Sequence, residues 1–236
     1  MNDLWKVEFH CHTVYSRDSL NWIHALVRTA LKRGLDKIMV TDHNTIRGAI
    51  AARLAEPDLF VVGEEIKLDN GAELLAYYVQ EEIPAGLPFQ EVIQRLRTQG
   101  SVIGLPHPLD RFRGRWHPDD LAHAAKLVDA VEGFNARSLS RNDNYAAEAM
   151  AAQNHLPVFA GSDAHLPGEV GTAYTVLPPF HSPDELVKSL QQAKMVCKQS
   201  SNLVHLGSRY AVLYKLVFAK TRRIQDLQQE NLKKDE

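Results

Sequence analysis

Six places along this chain carry a histidine or an acidic residue where a metal ion would need a ligand, and nearly all follow an apolar, strand-like run. Imidazole nitrogen and carboxylate oxygen suit divalent zinc, manganese or iron. Because the clusters spread over the first two thirds of the chain, they predict that several strands deliver their ends to one place. The clusters are His10-Cys11-His12, Asp42-His43, Glu64-Glu65, His107, Glu132 and Asp163-Ala164-His165.

Two of these clusters place their polar residues two positions apart. On an extended chain such residues point the same way, so His10 and His12 can reach one ion while Cys11 points away. Asp163 and His165 repeat this spacing after another strand. An isolated His-x-His equally describes two surface or core histidines, and the later pair a solvated polar loop. The recurrence of the spacing favours metal binding.

The remaining clusters each have a functional and a structural interpretation. We expect His43 to bind metal and Asp42 to orient it, although Asp42 could itself be a ligand or cap the following helix. Prolines on both sides stiffen the backbone around His107, which also fits a structural turn. Glu65 and Glu132 follow apolar runs and could be polar strand ends, but two carboxylates would offset the charge of several ions.

The elements that must position these residues alternate between strands and helices. Such alternation predicts a parallel sheet, either open or closed. Strand ends ring one mouth in a closed barrel but form a line in an open sheet, so six contributing ends favour the barrel. Asn70-Gly71 predicts a hairpin between the third and fourth strands. The predicted strands are 5–9, 37–41, 59–62, 74–79, 102–105, 127–131 and 158–160, and the predicted helices are 21–33, 46–54, 88–99, 142–153 and 183–193.

Composition describes an ordinary globular protein with enough apolar material for a core. The chain has 236 residues, of which 44% are hydrophobic and 24% charged, which permits two small domains or one barrel. The net charge of −2 gives no electrostatic case for strong binding of long nucleic acids. Cys11 and Cys197 are the only cysteines, so we expect no disulfide framework and a reducing compartment.

No basic-then-apolar leader appears at residues 1–6, and no apolar run approaches the roughly 20 residues that span a bilayer. We therefore expect a cytoplasmic protein. The charged tail 221–236 predicts a solvated or frayed helix. An apolar stripe at Tyr210, Leu213, Leu216 and Val217 predicts packing against the barrel or another subunit rather than a membrane surface. The sequence leaves the oligomeric state open.

These residues and their order resemble the PHP (polymerase and histidinol phosphatase) family over roughly residues 5–195. The resemblance implies a distorted seven-stranded β/α barrel over residues 1–200, followed by a helical extension, 201–236, that packs on the barrel or frays. It also implies two or three divalent ions (manganese, zinc or iron) at the C-terminal mouth of the strands, and hydrolysis of phosphate esters. The matching motifs are His10-Cys11-His12-Thr13, Tyr15-Ser16-Arg17-Asp18, Thr41-Asp42-His43-Asn44-Thr45, Gly63-Glu64-Glu65, Pro106-His107-Pro108 and Gly161-Ser162-Asp163-Ala164-His165.

Carried onto this chain, the resemblance implies a ligand set with two departures. Arg17 separates Ser16 from Asp18, whereas many members have a Ser-Asp pair there. Glu73 stands where many members have a histidine at the fourth strand, so either Glu73 replaces that ligand or the site holds fewer ions. The implied ligands are His10, His12, Asp18, His43, Glu65, His107, Asp163 and His165, with Glu73 as the substitute.

The expected mechanism is in-line attack on phosphorus by a metal-bridging hydroxide, with arginines neutralising the phosphate. Arg137 is the first choice because it follows a strand end, and Arg17 and Asp42 complete the predicted catalytic set, although any single arginine could be a solvated loop residue. Arg111, Arg113, Arg115 and Arg141 are further candidates. The remaining histidines, expected at the surface or in the core, are His24, His117, His123, His155, His181 and His205.

The expected substrate is a nucleotide, a short oligonucleotide or a small phosphorylated metabolite. A histidinol-phosphate phosphatase is the alternative within this chemistry. Outside it stand an amidohydrolase-type barrel that cleaves C–N bonds, disfavoured by the late Asp163-x-His165 pair, and a barrel that binds metal and phosphate without turnover.

Overall fold

The computed structural model describes residues 4–113 and 116–232, and beyond residue 218 it describes only the backbone of the last helix. Strands and helices alternate along most of the chain, as the sequence predicts. The strands are β1 (Trp5–Cys11), β2 (Lys37–Val40), β3 (Phe60–Lys67), β4 (Glu73–Tyr77), β5 (Val102–Leu105), β6 (Ala130–Asn135), β7 (Val158–Gly161), β8 (Tyr174–Leu177) and β9 (Lys194–Val196). The helices are α1 (Ile23–Arg33), α2 (Arg47–Ala55), α3 (Phe89–Thr98), α4 (Pro118–Ala124), α5 (Arg141–Gln153), α6 (Pro183–Leu190) and α7 (Val204–Leu232).

The strands form one sheet that nearly closes into a barrel. Its order is β7-β6-β5-β4-β3-β2-β1-β8-β9. A parallel bridge between Cys11 and Ala164 joins the end of β1 to the segment after β7, where the His12 amide donates to the Ala164 carbonyl at 3.0 Å. The predicted α/β barrel architecture is therefore present, and the carboxyl ends of its parallel strands meet at one mouth.

The predicted count of seven strands is not confirmed, because the described residues form nine. The sequence analysis missed β8 and β9, which pair antiparallel with β1 and with each other at the edge of the sheet. Both are short, and β9 is largely exposed, so neither produces a clear apolar run. Helix α4 was also missed, because its seven residues are too few to show a clear helical periodicity.

The hairpin predicted at Asn70-Gly71 is present and decides where Glu73 lies. Gly71 adopts a φ of 84°, and the Asn70 carboxamide oxygen accepts a hydrogen bond from the Ala72 amide. Lys67 at the end of β3 therefore pairs with Glu73 at the start of β4. Because β4 is antiparallel to both of its neighbours, its first residue lies at the end of the barrel where β3 finishes.

An irregularity in β1 separates the barrel core from the polar mouth. The register of β1 against β2 shifts between Glu8 and Cys11. Phe9 packs inside the barrel, where its ring lies 5.0 Å from that of Phe159. Cys11 instead packs in the outer apolar cluster between strands and helices. A bulge of this kind re-aims side chains, and here it lets His10 follow Phe9 into the interior.

Helix α7 lies against the mouth of the barrel. The Arg137 guanidinium donates to the Ser208 hydroxyl at 2.8 Å, and the Lys215 ammonium donates to the carbonyls of Val14 and Ser16. Of the helices in the described part of the chain, none has the length and apolarity needed to cross a membrane.

Candidate metal centre

The nine residues predicted as metal ligands come together at the mouth of the barrel. The ring of His12 lies 4.3 Å from those of both His43 and His165, and His10 lies 5.7 Å from His107. Glu65, Glu73, Asp18 and Asp163 lie between or beside these rings, within 4 Å of at least one imidazole nitrogen each. Residues from β1, β3 and β4 and from the segments after β1, β2, β5 and β7 thus share one site, which is the convergence that the sequence predicts.

Glu65 occupies the middle of this cluster. Its carboxylate lies 2.8 Å from His43 Nδ1, 3.2 Å from His107 Nε2, and 3.4 Å from the Nε2 atoms of both His10 and His12. Burial raises the pKa of Glu65, but the charges of His10 and His43 and the hydrogen bonds outweigh it and hold the pKa well below its usual value. A central ionised carboxylate of this kind can bridge two cations.

Asp18 and Glu73 border the cluster on two sides. Asp18 lies 3.3 Å from His165 Nε2 and 3.6 Å from His43 Nε2, so the Arg17 insertion does not remove it from the site. Glu73 lies 3.8 Å from His107 Nε2, at the position that the hairpin gives it. Burial and the nearby Glu65 charge raise the pKa of Glu73.

The protonation of His12 is decided by a chain of hydrogen bonds behind it. Asp42 accepts from the amide and hydroxyl of Thr13 at 2.7 and 2.5 Å, and from the hydroxyl of Ser16 at 2.6 Å. Since the Ser16 hydroxyl donates its proton to Asp42, it accepts from His12 Nδ1 at 3.1 Å. His12 Nε2 therefore carries the free lone pair and faces the cluster, which is the tautomer that a metal ligand needs.

Two further histidines are oriented in the same way. His165 Nδ1 lies 2.8 Å from the Asp163 carbonyl, which can only accept. His10 Nδ1 lies 3.0 Å from Glu132 Oε1. The other oxygen of Glu132 accepts from the His107 amide and from the Asn135 carboxamide. Glu132 therefore holds two histidines in place from outside the cluster, and its oxygens do not point to the centre.

The donor set fits divalent cations. Four overlapping groups of three residues hold their ligand atoms within 4.8 Å of one another: His12-His43-His165, His10-Glu65-His107, His10-His12-Asp163 and His43-Glu65-Glu73. Burial and the neighbouring His165 and His43 lower the pKa of His12 to about 3, which favours the neutral ligand form. Four buried atoms in the cluster have no hydrogen-bond partner in the described structure, as expected of atoms that bind a cation. They are His10 Nε2, His12 Nε2, Asp18 Oδ1 and Glu65 Oε2.

The predicted arginines take different places around the site. Arg113 reaches into the cavity and pairs with Asp163. Arg137 is buried in the cavity wall, where it contacts Ser208 and lies 3.6 Å from Glu169. Arg17 lines the exposed rim. Arg111 pairs with Asp143 and Arg141 begins α5, both away from the cluster, whereas Arg115 lies outside the described residues.

Two predicted residues lie behind or outside the cluster. Asp42 acts on His12 through Ser16 rather than orienting His43 by its own carboxylate. Glu64 points to the outer side of β3, where it accepts from the Ile83 amide, and burial raises its pKa to about 8. The alternation of side chains along a strand separates Glu64 from Glu65.

The sequence analysis missed several residues around the cavity, whose volume is about 830 Å³. His205, expected at the surface or in the core, lines it together with Ser208. Nothing in the pattern of α7 marks these two, because they reach the mouth only when the helix docks. Tyr15, Asn44, Lys67 and Phe112 complete the rim.

Comparison with known proteins agrees with this architecture. A family model described as the PHP domain matches residues 8–160, and a model described as PHP-associated matches residues 141–195. The uncharacterized protein MJ0417 of Methanocaldococcus jannaschii is 32% identical to this chain, over 92% of this chain and 98% of its own length.

Two solved structures share the fold at low sequence identity. A two-domain protein of Bacteroides vulgatus that contains a predicted PHP-like metal-dependent phosphoesterase has a TM-score of 0.68 at 19% identity, over 82% of this chain and 65% of its own. A lesion-specific endonuclease of Pyrococcus furiosus has a TM-score of 0.62 at 15% identity, over 82% of this chain and 58% of its own. This chain thus spans less than two thirds of either protein. Since the domain model covers more than half of its residues, the chain belongs to the PHP domain family.

Proposed function

We propose that this protein is a metal-dependent phosphoesterase that hydrolyses a phosphate ester of a nucleotide, a short oligonucleotide or another small phosphorylated metabolite. The observation that carries the proposal is the central Glu65 carboxylate, surrounded by His10, His12, His43 and His107. Two or three divalent ions bound there would supply an activated water and stabilise charge on the phosphoryl group.

The cations around the cavity support a phosphorylated substrate. Arg113 reaches the cluster from one side, while Arg17 and Lys67 line the rim. A guanidinium matches two phosphate oxygens at once, so Arg113 would bind the phosphoryl group beside Asp163. Arg137 would lie farther from the phosphoryl group than Arg113, because Ser208 and Glu169 already hold its guanidinium in the cavity wall.

Helix α7 supports a small or single-stranded substrate over a long duplex. His205 and Ser208 line the same cavity as the metal cluster, so the helix narrows access to it. The net charge of −2 adds no attraction for a long polyanion. The endonuclease from Pyrococcus furiosus has the same fold, which keeps a nucleic-acid fragment among the substrates to be tested.

The experiment is a phosphate-release screen over mononucleotides, short oligonucleotides, sugar phosphates and histidinol phosphate, with manganese, zinc and iron supplied in turn. An amide substrate is included to detect C–N hydrolysis. We expect phosphate release that a chelator abolishes and added metal restores. Glu65→Gln should lower turnover at least about 100-fold, because the central carboxylate loses its charge.

The matched control is Glu56→Gln, which makes the same chemical change at an exposed position on the end of α2. It should retain full activity. Equal phosphate release by the wild type and Glu65→Gln would refute the proposal, as would metal binding without turnover on every phosphate ester tested.

A further inference from the structure

The barrel has a seam between β1 and β7 where the described strands form no continuous ladder. At this seam β1 is joined to the segment after β7 by the bridge between Cys11 and Ala164. The two sides approach closely, because a Cβ atom on Gly161 would lie 2.5 Å from the Cβ atom of His10. Contacts other than a strand ladder therefore hold this side of the barrel closed.

The seam runs between candidate metal ligands. His10 and His12 lie on one side, on and just after β1, whereas Asp163 and His165 follow β7 on the other. Two groups of ligand atoms that lie within 4.8 Å of one another combine residues from both sides of the seam: His10-His12-Asp163 and His12-His43-His165. The width of the seam thus sets the distance between ligands that would share an ion.

The carboxylate of Glu8 lies across this seam and is fully buried. Its Oε1 atom accepts hydrogen bonds from the backbone amides of His10 at 3.1 Å and Ser162 at 2.9 Å. Its Oε2 atom accepts one from the Gly171 amide at 2.8 Å. Because Ser162 directly precedes Asp163, one carboxylate holds the backbone at a candidate ligand in β1 and beside a candidate ligand across the seam.

The register shift in β1 explains why an acceptor is needed at this place. The shift between Glu8 and Cys11 interrupts the ladder with β2, and the His10 amide donates to the Glu8 carboxylate instead. A carboxylate has lone pairs on both oxygens and can accept from all three amides, whereas a carboxamide keeps only one accepting oxygen. The three contacts therefore require the acid rather than glutamine.

We infer that Glu8 is a positioning residue of the metal centre, which fixes the distance between His10 and Asp163 by holding the backbone on both sides of the seam. Its two oxygens are engaged by backbone amides, so Glu8 would act on the ligands without binding an ion itself. The inference rests on the metal centre that underlies the proposed function, but not on the turnover of any substrate.

Glu64 provides a matched comparison. It is also a buried glutamate whose carboxylate accepts from a backbone amide, that of Ile83, but it lies on the outer side of β3 and away from the cluster. Glu8→Gln and Glu64→Gln make the same chemical change, and both can lower the free energy of unfolding. Only Glu8→Gln should also alter the metal centre.

The test is a titration of the full-length, metal-free protein with cobalt(II). Calorimetry measures the affinity, and visible absorption at saturating cobalt reports the coordination geometry. Glu8→Gln should raise the dissociation constant about 10- to 100-fold and shift the absorption bands, because the ligands on the two sides of the seam lose their common support. Glu64→Gln should keep the wild-type dissociation constant and spectrum.

Wild-type affinity and spectrum in Glu8→Gln would overturn the inference. Equal changes in Glu64→Gln would also overturn it, because they would mean a general loosening of the barrel. If Glu8→Gln loses its helix signal in circular dichroism, Glu8→Asp provides the same test, since it withdraws the carboxylate from the amides by one methylene group. A wild type that binds neither cobalt, manganese nor zinc would overturn the metal centre together with the role of Glu8, whereas metal binding without phosphate release would refute only the proposed function.

Discussion

At the scale of single residues, the site is organised by side chains that would not touch a metal ion. The Ser16 hydroxyl and the Glu132 carboxylate accept hydrogen bonds from His12 Nδ1 and His10 Nδ1. These bonds turn the Nε2 atom of each ring toward the cluster. Asp42 acts one step further out by fixing the Ser16 hydroxyl. Such outer partners set ring orientation and ligand basicity.

Glu132→Gln tests this arrangement. A carboxamide keeps one accepting oxygen and replaces the other with a nitrogen that cannot accept, so Glu132→Gln loses one of the two supports that Glu132 gives, either to the His10 ring or to the His107 backbone amide. We expect metal affinity to fall about 10- to 100-fold, measured by calorimetric titration with manganese or zinc. The exposed Glu56→Gln control should bind metal like the wild type, and unchanged affinity in Glu132→Gln would contradict the assignment.

Arg113→Lys tests phosphate recognition. Lysine keeps the charge next to Asp163 but loses the planar fork that matches two phosphate oxygens. If Arg113 binds the substrate phosphate, KM for a phosphate ester should rise about 10-fold while metal content stays constant. Arg28→Lys on the exposed side of α1 is the control. A larger effect of Arg137→Ala, with Arg113→Lys unchanged, would assign the phosphate to Arg137 instead.

At the scale of elements, the close approach of α2 to the loop after β1 holds the hydrogen bonds around Asp42. A Cβ atom on Gly48 would lie 2.0 Å from Asp42 Oδ2 and 2.3 Å from Thr13 Oγ1. Helix propensity alone favours alanine over glycine by about 1 kcal/mol, whereas overpacking costs about 1–3 kcal/mol. The steric cost of the added Cβ atom therefore outweighs the gain in helix propensity.

We expect Gly48→Ala to lower the free energy of unfolding, measured by urea denaturation, and to reduce metal affinity as the Asp42 contacts move. Gly168→Ala is the matched control, because a Cβ atom added there would have no neighbour within 4 Å and the φ of Gly168 is not positive. A higher free energy of unfolding in Gly48→Ala would contradict this expectation. It would show that the contact between α2 and the loop after β1 is looser than these distances indicate.

At the scale of the whole molecule, we expect metal binding and folding of the barrel to be coupled. The candidate ligands come from β1, β3 and β4 and from the segments after β1, β2, β5 and β7, so an intact site exists only when the barrel is closed. A ligand that binds only the native state stabilises it by about 2.7 kcal/mol at a concentration 100 times its Kd.

Added manganese or zinc should therefore raise the midpoint of thermal unfolding, measured by differential scanning fluorimetry, by roughly 5–10 °C. The chelated protein should return to the lower midpoint. Glu65→Gln should lose most of the shift, whereas Glu56→Gln should keep it. An identical shift in all three proteins would mean that the metal binds elsewhere.

The sequence by itself determined the candidate ligands and the alternation of strands and helices. Periodicity marks where apolar strands end, and polar residues placed just after them, such as His43 and His165, are visible locally. The hairpin at Gly71 was equally visible, because a left-handed turn needs particular residues.

Only the tertiary structure decided how these parts serve the site. The register shift in β1, the pairing of β4 with β5 and the docking of α7 depend on contacts between residues far apart in the chain. For that reason only the structure gave Glu132 and Asp42 their supporting places and brought His205 to the cavity. Local pattern cannot encode these positions, because they arise from packing between elements.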